Sequence, residues 1–228
     1  MSAQLKSTNQ GQTLILTLSD PTLRNAMGPA MYAAGIEALN VAETNPDIRS
    51  VVIAGEGAHF CAGSDVHRLK ANRDQSAEVQ AQTVESLHNW MEAIRTFPKP
   101  VIAAVEGAAV GSGFSLALMC DLIVAADNSV FAMAYSNLGL SPDAGGSWNL
   151  AHTLPRQLAS ELLLLGDRIN ARAPNVMNSI KELVNDAGTH HMTDHLAQER
   201  NQFVKNLHHT NAGIGIQAFL NKEVPHYK

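Results

Sequence analysis

The stretch that most constrains this chain is Pro100 to Asp121, PVIAAVEGAAVGSGFSLALMCD. Val101 to Val105 is an apolar run that reads as a buried strand. Gly107 to Gly113 reads as a small-residue turn, and Phe114 to Met119 suits a buried helix. A strand–turn–helix leaves main-chain N–H groups without acceptors at the helix start, with the positive end of the helix dipole behind them. Gly111-Ser112-Gly113 has little bulk, so another molecule can approach that backbone closely. The arrangement suits negative charge. Nucleotide motifs do not account for it: Leu116 stands where a dinucleotide fingerprint needs its third glycine, and no Gly-Lys-Ser/Thr triplet follows. There is no G-x-S-x-G elbow either, so Ser112 and Ser115 lack the context of acyl-enzyme nucleophiles. A glycine-rich packing turn between core elements is the plain alternative.

A core of that kind needs enough chain to bury it. The 228 residues suit one α/β domain or a domain with a small appendage, and 45% hydrophobic with only 16% charged residues is not a disordered composition. The formal net charge of −5 and the lack of any long Lys/Arg run argue against a nucleic-acid or anionic-membrane surface. Cys61 and Cys120 form no CxxC and no disulfide framework, which fits a reducing cytosol. The first residues, MSAQLKSTNQ, carry no hydrophobic signal core, and no apolar run approaches the roughly 20 residues of a membrane span. A soluble, cytoplasmic protein is the expectation.

Taken in order, Thr13 to Leu18 alternates as a strand, and Pro29 to Glu43 carries a helical apolar pattern ended by Asn45-Pro46. Ser50 to Ala54 is the next strand. A loop to Gly63 leads to a helix opening over Asp65 to Lys70, and Ser76 to Thr96 is a long amphipathic helix. After the central helix, Leu122 to Ala126 and Val130 to Ala134 read as strands, Asn137 to Gly146 as a loop, and Ser147 to Leu150 as the start of a helix. Gln157 to Leu165, Asn175 to Ala187 and Asp194 to His208 complete a helical last third. That is the pattern of an α/β core with a helical C-terminal layer.

Several stretches together resemble the crotonase family, the enoyl-CoA hydratase/isomerase superfamily. They are DPTLRNAM (20–27), SVVIAGEGAHFCAGSDVHRL (50–69), KPVIAAVEGAAVGSGFSLALMCDLIVAAD (99–127), FAMAYSNLGLSPDAGGSWNL (131–150) and LLLGDRINA (163–171), in the family's order. The resemblance implies an α/β fold, a crotonase-like spiral of ββα units over residues 1–171, with a helical trimerisation and CoA-covering region over 172–228. It implies an acyl-CoA thioester substrate within fatty-acid or related acyl metabolism. No cofactor is implied beyond the coenzyme A carried by that substrate, no nucleic-acid or membrane partner, and assembly as a homotrimer or dimer of trimers. Two main-chain N–H groups form the family's oxyanion hole, and at the matching positions these belong to Ser64 and Ser112. Charge developing on a thioester oxygen is stabilised by donors fixed in advance, one such donor being worth about 3 kcal/mol. Serine is tolerable there because the backbone does the work. The resemblance also implies that Arg24 contacts CoA phosphates, that Ala62, Asp65 and Val66 lie around the pantetheine and adenine, and that Lys222 reaches a neighbouring subunit's CoA. Asp65 equally suits a helix N-cap.

Hydratases of the family place two glutamates around one water; here the matching positions hold Ser115 and Tyr135, and neither is a carboxylate base. The carboxylate present is Asp143, in the loop Leu140 to Gly146. Its PDxGGxW context is similar to isomerase-type members, including those that act on phenylacetate-pathway ring epoxides. One carboxylate suffices to move a proton from C2 to C4 of a 3-enoyl-CoA through a dienolate. Tyr135 either orients the substrate or packs. Asp143 is alternatively an N-cap for the following helix, a nucleophile as in aryl-CoA dehalogenases, or a base in thioester hydrolysis; an acyl-CoA-binding paralogue without turnover is the non-enzymatic alternative.

No metal site is expected. His191 and His195 are spaced i, i+4, with His190 beside them and His208-His209 further on, but no recognisable ligand set completes them. They read as a solvated, histidine-rich helix. The chain departs from the family at Ala171-Arg172, where GDRINA runs straight into RAPNVMNSIKELV. Relatives carry a further helix, a strand-like stretch and another helix at this junction. Either that segment is deleted or it belongs to the molecule outside this sequence, and the second is the expectation.

Overall fold

The alternation in Thr13–Ser19 places Leu14, Leu16 and Leu18 on one face of a strand, and all three are buried. The computed structural model describes residues 3–166, 174–223 and 225–227. Strand β1 (Gln4–Gln10) pairs antiparallel with β2 (Thr13–Ser19). The remaining order is parallel: β2 with β3 (Ser50–Gly55), β3 with β4 (Val101–Val105), and β4 with β6 (Leu122–Ala125). In β3 and β4 the same alternation buries Val51, Ile53, Val101 and Ala103 completely. Each valine or isoleucine side chain so withdrawn from water contributes about 1.5–3 kcal/mol, and Ala103 less, which is why this face fixes the register.

Helix α1 (Pro29–Thr44) starts on proline, whose missing N–H is no loss at a first helical position, and packs on β1 and β2. It buries Met31, Tyr32, Gly35, Leu39 and Ala42. A side chain at Gly35 would meet the Trp90 indole 2.1 Å away, so the glycine lets that fully buried ring lie against the helix backbone. The other elements are α2 (Val66–Arg73), α3 (Ala77–Arg95), β5 (Ala108–Val110), α4 (Ser112–Met119), β7 (Val130–Ala132), and helices α5 (Gly146–Thr153), α6 (Arg156–Leu165), α7 (Pro174–Ala187), α8 (Met192–Leu207) and α9 (Thr210–Asn221). Short 3-10 helices occupy Pro21–Leu23 and Ala134–Leu138.

Contacts divide the chain into two compact units. The first comprises Met1–Asp65 and Ser86–Phe131, and the second Val66–Glu85 and Ala132–Lys228. The first holds the five-stranded sheet. In the second, α5, α6, α7 and α8 pack successively around Leu150, Leu163, Ile180, Leu183, Leu196 and Phe203, and α9 lies on the 3-10 helix Ala134–Leu138. Gly215 permits that contact, because a Cβ there would sit 2.5 Å from the Leu138 carbonyl.

Three elements differ from the sequence expectation. The polar segment Gln4–Gln10 is a strand, held as an exposed edge by β2 rather than by any apolar face of its own. Within the expected turn Gly107 to Gly113, Ala108–Val110 is a strand: Cys61 N–H donates to Ala108 O and Val110 N–H to Cys61 O, each at 2.9 Å. Helix α9 begins after His208, where a histidine, His209, serves as N-cap by accepting the Asn211 N–H. The expected boundary and family departure at Ala171-Arg172 lie outside the described residues.

Candidate active site

In the first unit, the segment 20–27 is tied to the loop 56–64. Asn25 is fully buried with φ 58°, and its amide donates to Glu56 O and His59 O at 2.9 and 2.7 Å while accepting the Asp20 N–H at 2.9 Å. This leaves Arg24 exposed, also left-handed, with its carbonyl accepting the Ala62 N–H at 2.9 Å. Met27 N–H donates to Gly63 O at 2.7 Å, and Met27 and Ser64 form a parallel bridge. Gly63, at φ 91°, is required here: a side chain would approach Val110 O to 2.7 Å and the Ser112 nitrogen to 3.4 Å.

Arg24, Ala62, Ser64 and Ser112 are thereby gathered in one region. Ser112 is the first residue of α4, so its N–H is among the helix-start donors that find no acceptor within the helix. Its N-cap Gly111, at φ 55° and ψ −125°, contributes no side-chain bond. The hydroxyls of Ser64 and Ser112 lie 3.2 Å apart and bond to each other. Below them Gly113 packs on Cys61, whose thiol donates to Asn25 O at 3.1 Å and is pushed up to about 12 by burial. Ser115 is wholly buried one turn into α4, and its hydroxyl faces Gly111 O at 3.4 Å. Asp65 is half-buried at the end of this unit.

In the second unit, Tyr135 stands on the 3-10 helix Ala134–Leu138, and its hydroxyl donates to Asp143 Oδ1 at 2.6 Å. Both residues are buried, Asp143 to 1% exposure. Burial pushes the Asp143 carboxyl up to about 6, against the opposing pull of the Tyr135 hydrogen bond and the Arg68 charge. Asp143 is not the N-cap of α5. That position is Gly145, with no side-chain cap bond. Val66 opens α2, and Lys222 closes α9 as an exposed left-handed C-cap.

Beside this loop lies a polar cluster that the sequence reading missed. Glu199 of α8 is wholly buried, and it accepts the Gly145 N–H at 2.6 Å, the Ser147 N–H at 3.1 Å and the Ser147 hydroxyl. His195 Nε2 lies 3.0 Å from the Ser147 oxygen and 3.8 Å from Glu199. His195 therefore does not belong to a solvated histidine face: one turn of helix from Glu199, it points inward and is 0% exposed. Its i, i+4 partner in the core is a glutamate, and that spacing was readable; what was not readable is that α8 turns these positions inward. Arg68, which acts on Asp143, was likewise missed within DVHRL. Among the described residues no group of three His, Cys, Asp or Glu side chains is placed to hold a metal ion.

A family model described as Enoyl-CoA hydratase/isomerase matches residues 8–173. The 1,2-epoxyphenylacetyl-CoA isomerase of Escherichia coli (strain K12) is 36% identical over 174 residues, 76% of this chain and 66% of that protein. The 2,3-dehydroadipyl-CoA hydratase of the same organism is 30% identical over 257 residues, covering 99% of each chain. An alignment of that length against 228 residues includes positions of the relative with no counterpart here. A crystal structure of an enoyl-CoA hydratase from Polaromonas sp. JS666 is 58% identical, with TM-score 0.72 over 99% of this chain and 100% of that one. The chain belongs to the enoyl-CoA hydratase/isomerase family, and its fold is the crotonase-like α/β fold with a helical C-terminal region. No helix among the described residues is long and apolar enough to cross a membrane.

Proposed function

We propose that the protein isomerises the double bond of an unsaturated acyl-CoA, with Asp143 as the proton shuttle. The Asp143 carboxylate takes a proton from C2 of a 3-enoyl-CoA, leaving a dienolate whose charge rests on the thioester oxygen. The Ser64 and Ser112 main-chain N–H groups stabilise that oxygen. Asp143 then returns the proton at C4, releasing the conjugated 2-enoyl-CoA with the protein unchanged. Arg24, Ala62, Asp65, Val66 and Lys222 serve to hold the CoA portion, and Tyr135 holds the carboxylate. No cofactor takes part beyond the substrate's own CoA. Assembly as a homotrimer or dimer of trimers and a cytoplasmic location belong to the same reading.

The observation that carries it is Asp143: a buried carboxyl bonded to Tyr135 and pushed up to about 6, where a carboxylate can both take and return a proton near neutral pH. The name of the 36% identical relative, an isomerase, agrees with it. Hydration of an enoyl-CoA is the second reading, favoured by the names of the 30% identical relative and the 58% identical structure. Against it, Ser115 and Tyr135 stand where the resemblance would put glutamates.

The test is incubation with a 3-enoyl-CoA in deuterated buffer, comparing wild type with Asp143→Asn. Conversion followed by ultraviolet absorbance, with deuterium uptake by mass spectrometry, should collapse in the variant. Water addition to a 2-enoyl-CoA that survives Asp143→Asn would establish the hydratase reading instead. Bound acyl-CoA without turnover would leave a binding protein.

A further inference from the structure

The loop that carries Asp143 is held from behind. Ala144 and Gly145 both take left-handed backbone, at φ 56° and 72°, and for alanine that conformation is unfavourable unless its surroundings impose it. What surrounds it is Glu199. This carboxylate, on α8 and more than fifty residues away in sequence, accepts both the Gly145 and the Ser147 N–H groups, on either side of the first residue of α5. Gly146 N–H closes back on Asp143 O at 3.2 Å. Helix-start N–H groups and the helix dipole favour an anion at this spot. Three donors converge on Glu199, and each opposes the burial that pushes its carboxyl up to about 7.

We propose that Glu199 is the positioning residue for Asp143: its buried carboxyl clamps the Gly145 and Ser147 N–H groups and fixes the backbone of residues 143–147. His195 completes the device. Its Nε2–H donates to the Ser147 oxygen, leaving the Ser147 hydroxyl proton for Glu199, so the chain of donors runs in one direction with His195 neutral. Burial pushes His195 down to about 4, which agrees with that direction.

The groups facing these carboxyls are known from each packed element. Asp143 meets the Tyr135 hydroxyl of the 3-10 helix and the Arg68 charge of α2, and its own charge acts on Glu199 of α8. Glu199 meets Gly145 and Ser147 of the loop and α5, His195 of its own helix, and Asp143. His195 in turn feels His190, Asp186 and His152. Arg68 and Tyr135 favour Asp143 ionised, and an ionised Asp143 in turn favours Glu199 protonated. The two carboxyls therefore titrate as a coupled pair.

The proposal rests on the assignment of Asp143 as the proton shuttle only for its effect on turnover, so the deciding measurement is made without substrate. Carbon-13 NMR of the aspartate and glutamate carboxyl groups, with Asp143→Asn and Glu199→Gln to assign the two resonances, gives both midpoints directly. Asp143→Asn should lower the Glu199 midpoint, as loss of the neighbouring charge that acts on it requires. With 3-enoyl-CoA, Glu199→Gln should lose about tenfold in kcat with KM changed less than threefold, because the Asp143 carboxyl is displaced while the CoA portion is held as before. If Glu199→Gln does not fold, the Glu199 midpoint in wild type and in Asp143→Asn still decides. A Glu199 midpoint unmoved in Asp143→Asn, or a folded Glu199→Gln with the kcat of wild type, overturns the proposal. A shifted midpoint with no turnover of any enoyl-CoA by wild type would keep the coupling and remove only the isomerase reading.

Discussion

The Tyr135 hydroxyl donates to Asp143 Oδ1 at 2.6 Å, with both side chains buried. The donor stabilises the charged carboxylate while burial disfavours it, and burial wins, since the carboxyl is pushed up to about 6. A phenol is well suited to this. It remains protonated at every pH at which the carboxylate works, so it donates throughout.

Removing that donor should leave burial less opposed. In Tyr135→Phe the Asp143 midpoint should rise further, and the acid limb of the rate profile with a 3-enoyl-CoA should move up by about one pH unit. Turnover at pH 7 should fall about twofold, because less of the enzyme then holds an ionised base, and should recover at higher pH. A rate profile lying on that of wild type would show that Tyr135 only packs.

The proposed oxyanion donors are main-chain groups, and this can be separated from their hydroxyls. Ser64→Ala and Ser112→Ala break the 3.2 Å bond between the hydroxyls yet keep both N–H groups, so turnover should remain within about threefold. Ser112 is the first residue of α4, a position where proline is tolerated. Ser112→Pro should therefore keep the fold but delete the N–H, lowering kcat about 100-fold. Unfolding midpoints measured alongside would expose a merely structural loss.

Legibility in the sequence depended on the kind of signal each element carries. The strand β2 announced itself by the alternation of Leu14, Leu16 and Leu18, β3 and β4 did so by short continuous apolar runs, and all three were legible with nearly their final bounds. The edge strand Gln4–Gln10 carries no such alternation, because its order comes from hydrogen bonds to β2. Ala108–Val110 was hidden by its glycine-rich surroundings, and its pairing partners, β7 and Cys61, are both distant in sequence. At the site, motif order pointed to Asp143, Ser64 and Ser112, whereas Glu199 lies in a helix whose mixed sequence, MTDHLAQERNQFVKNL, resembles a solvated face. Only tertiary packing makes Glu199 and His195 the inward pair.

Asn25 is a structural counterpart to Glu199 in the first unit. Its amide satisfies two carbonyls and one N–H in a buried place, and Asn25→Ala would leave all three without that partner. A loss of about 2–3 kcal/mol is expected by denaturant unfolding, since buried polar groups left unpaired cost about 1–3 kcal/mol. CoA affinity should fall in parallel, because Asn25 sets the left-handed backbone that presents Arg24. A fully stable variant would place the support of this loop elsewhere.

The buried acids also fix a direction for stability against pH. Burial pushes Asp143 up to about 6 from 3.8 and Glu199 up to about 7 from 4.5, so the folded state holds these protons more tightly than the unfolded chain does. Their contribution is fully present below the unfolded values and is lost as pH rises through the folded ones, over roughly pH 4 to 7. His195, pushed down to about 4 from 6.5, works the other way, since its contribution is present above the unfolded value and is lost as pH falls. Glu199→Gln removes one contribution that falls with rising pH and leaves that of His195 in place. Relative to wild type, the variant should be most destabilised near pH 4 and least near pH 8. The difference should be about 1.4 kcal/mol for every pH unit by which the fold had raised the Glu199 midpoint. Urea unfolding of both proteins at the two pH values measures this difference. A stability gap that stays constant with pH would mean that Glu199 keeps its ordinary carboxylate titration in the folded protein.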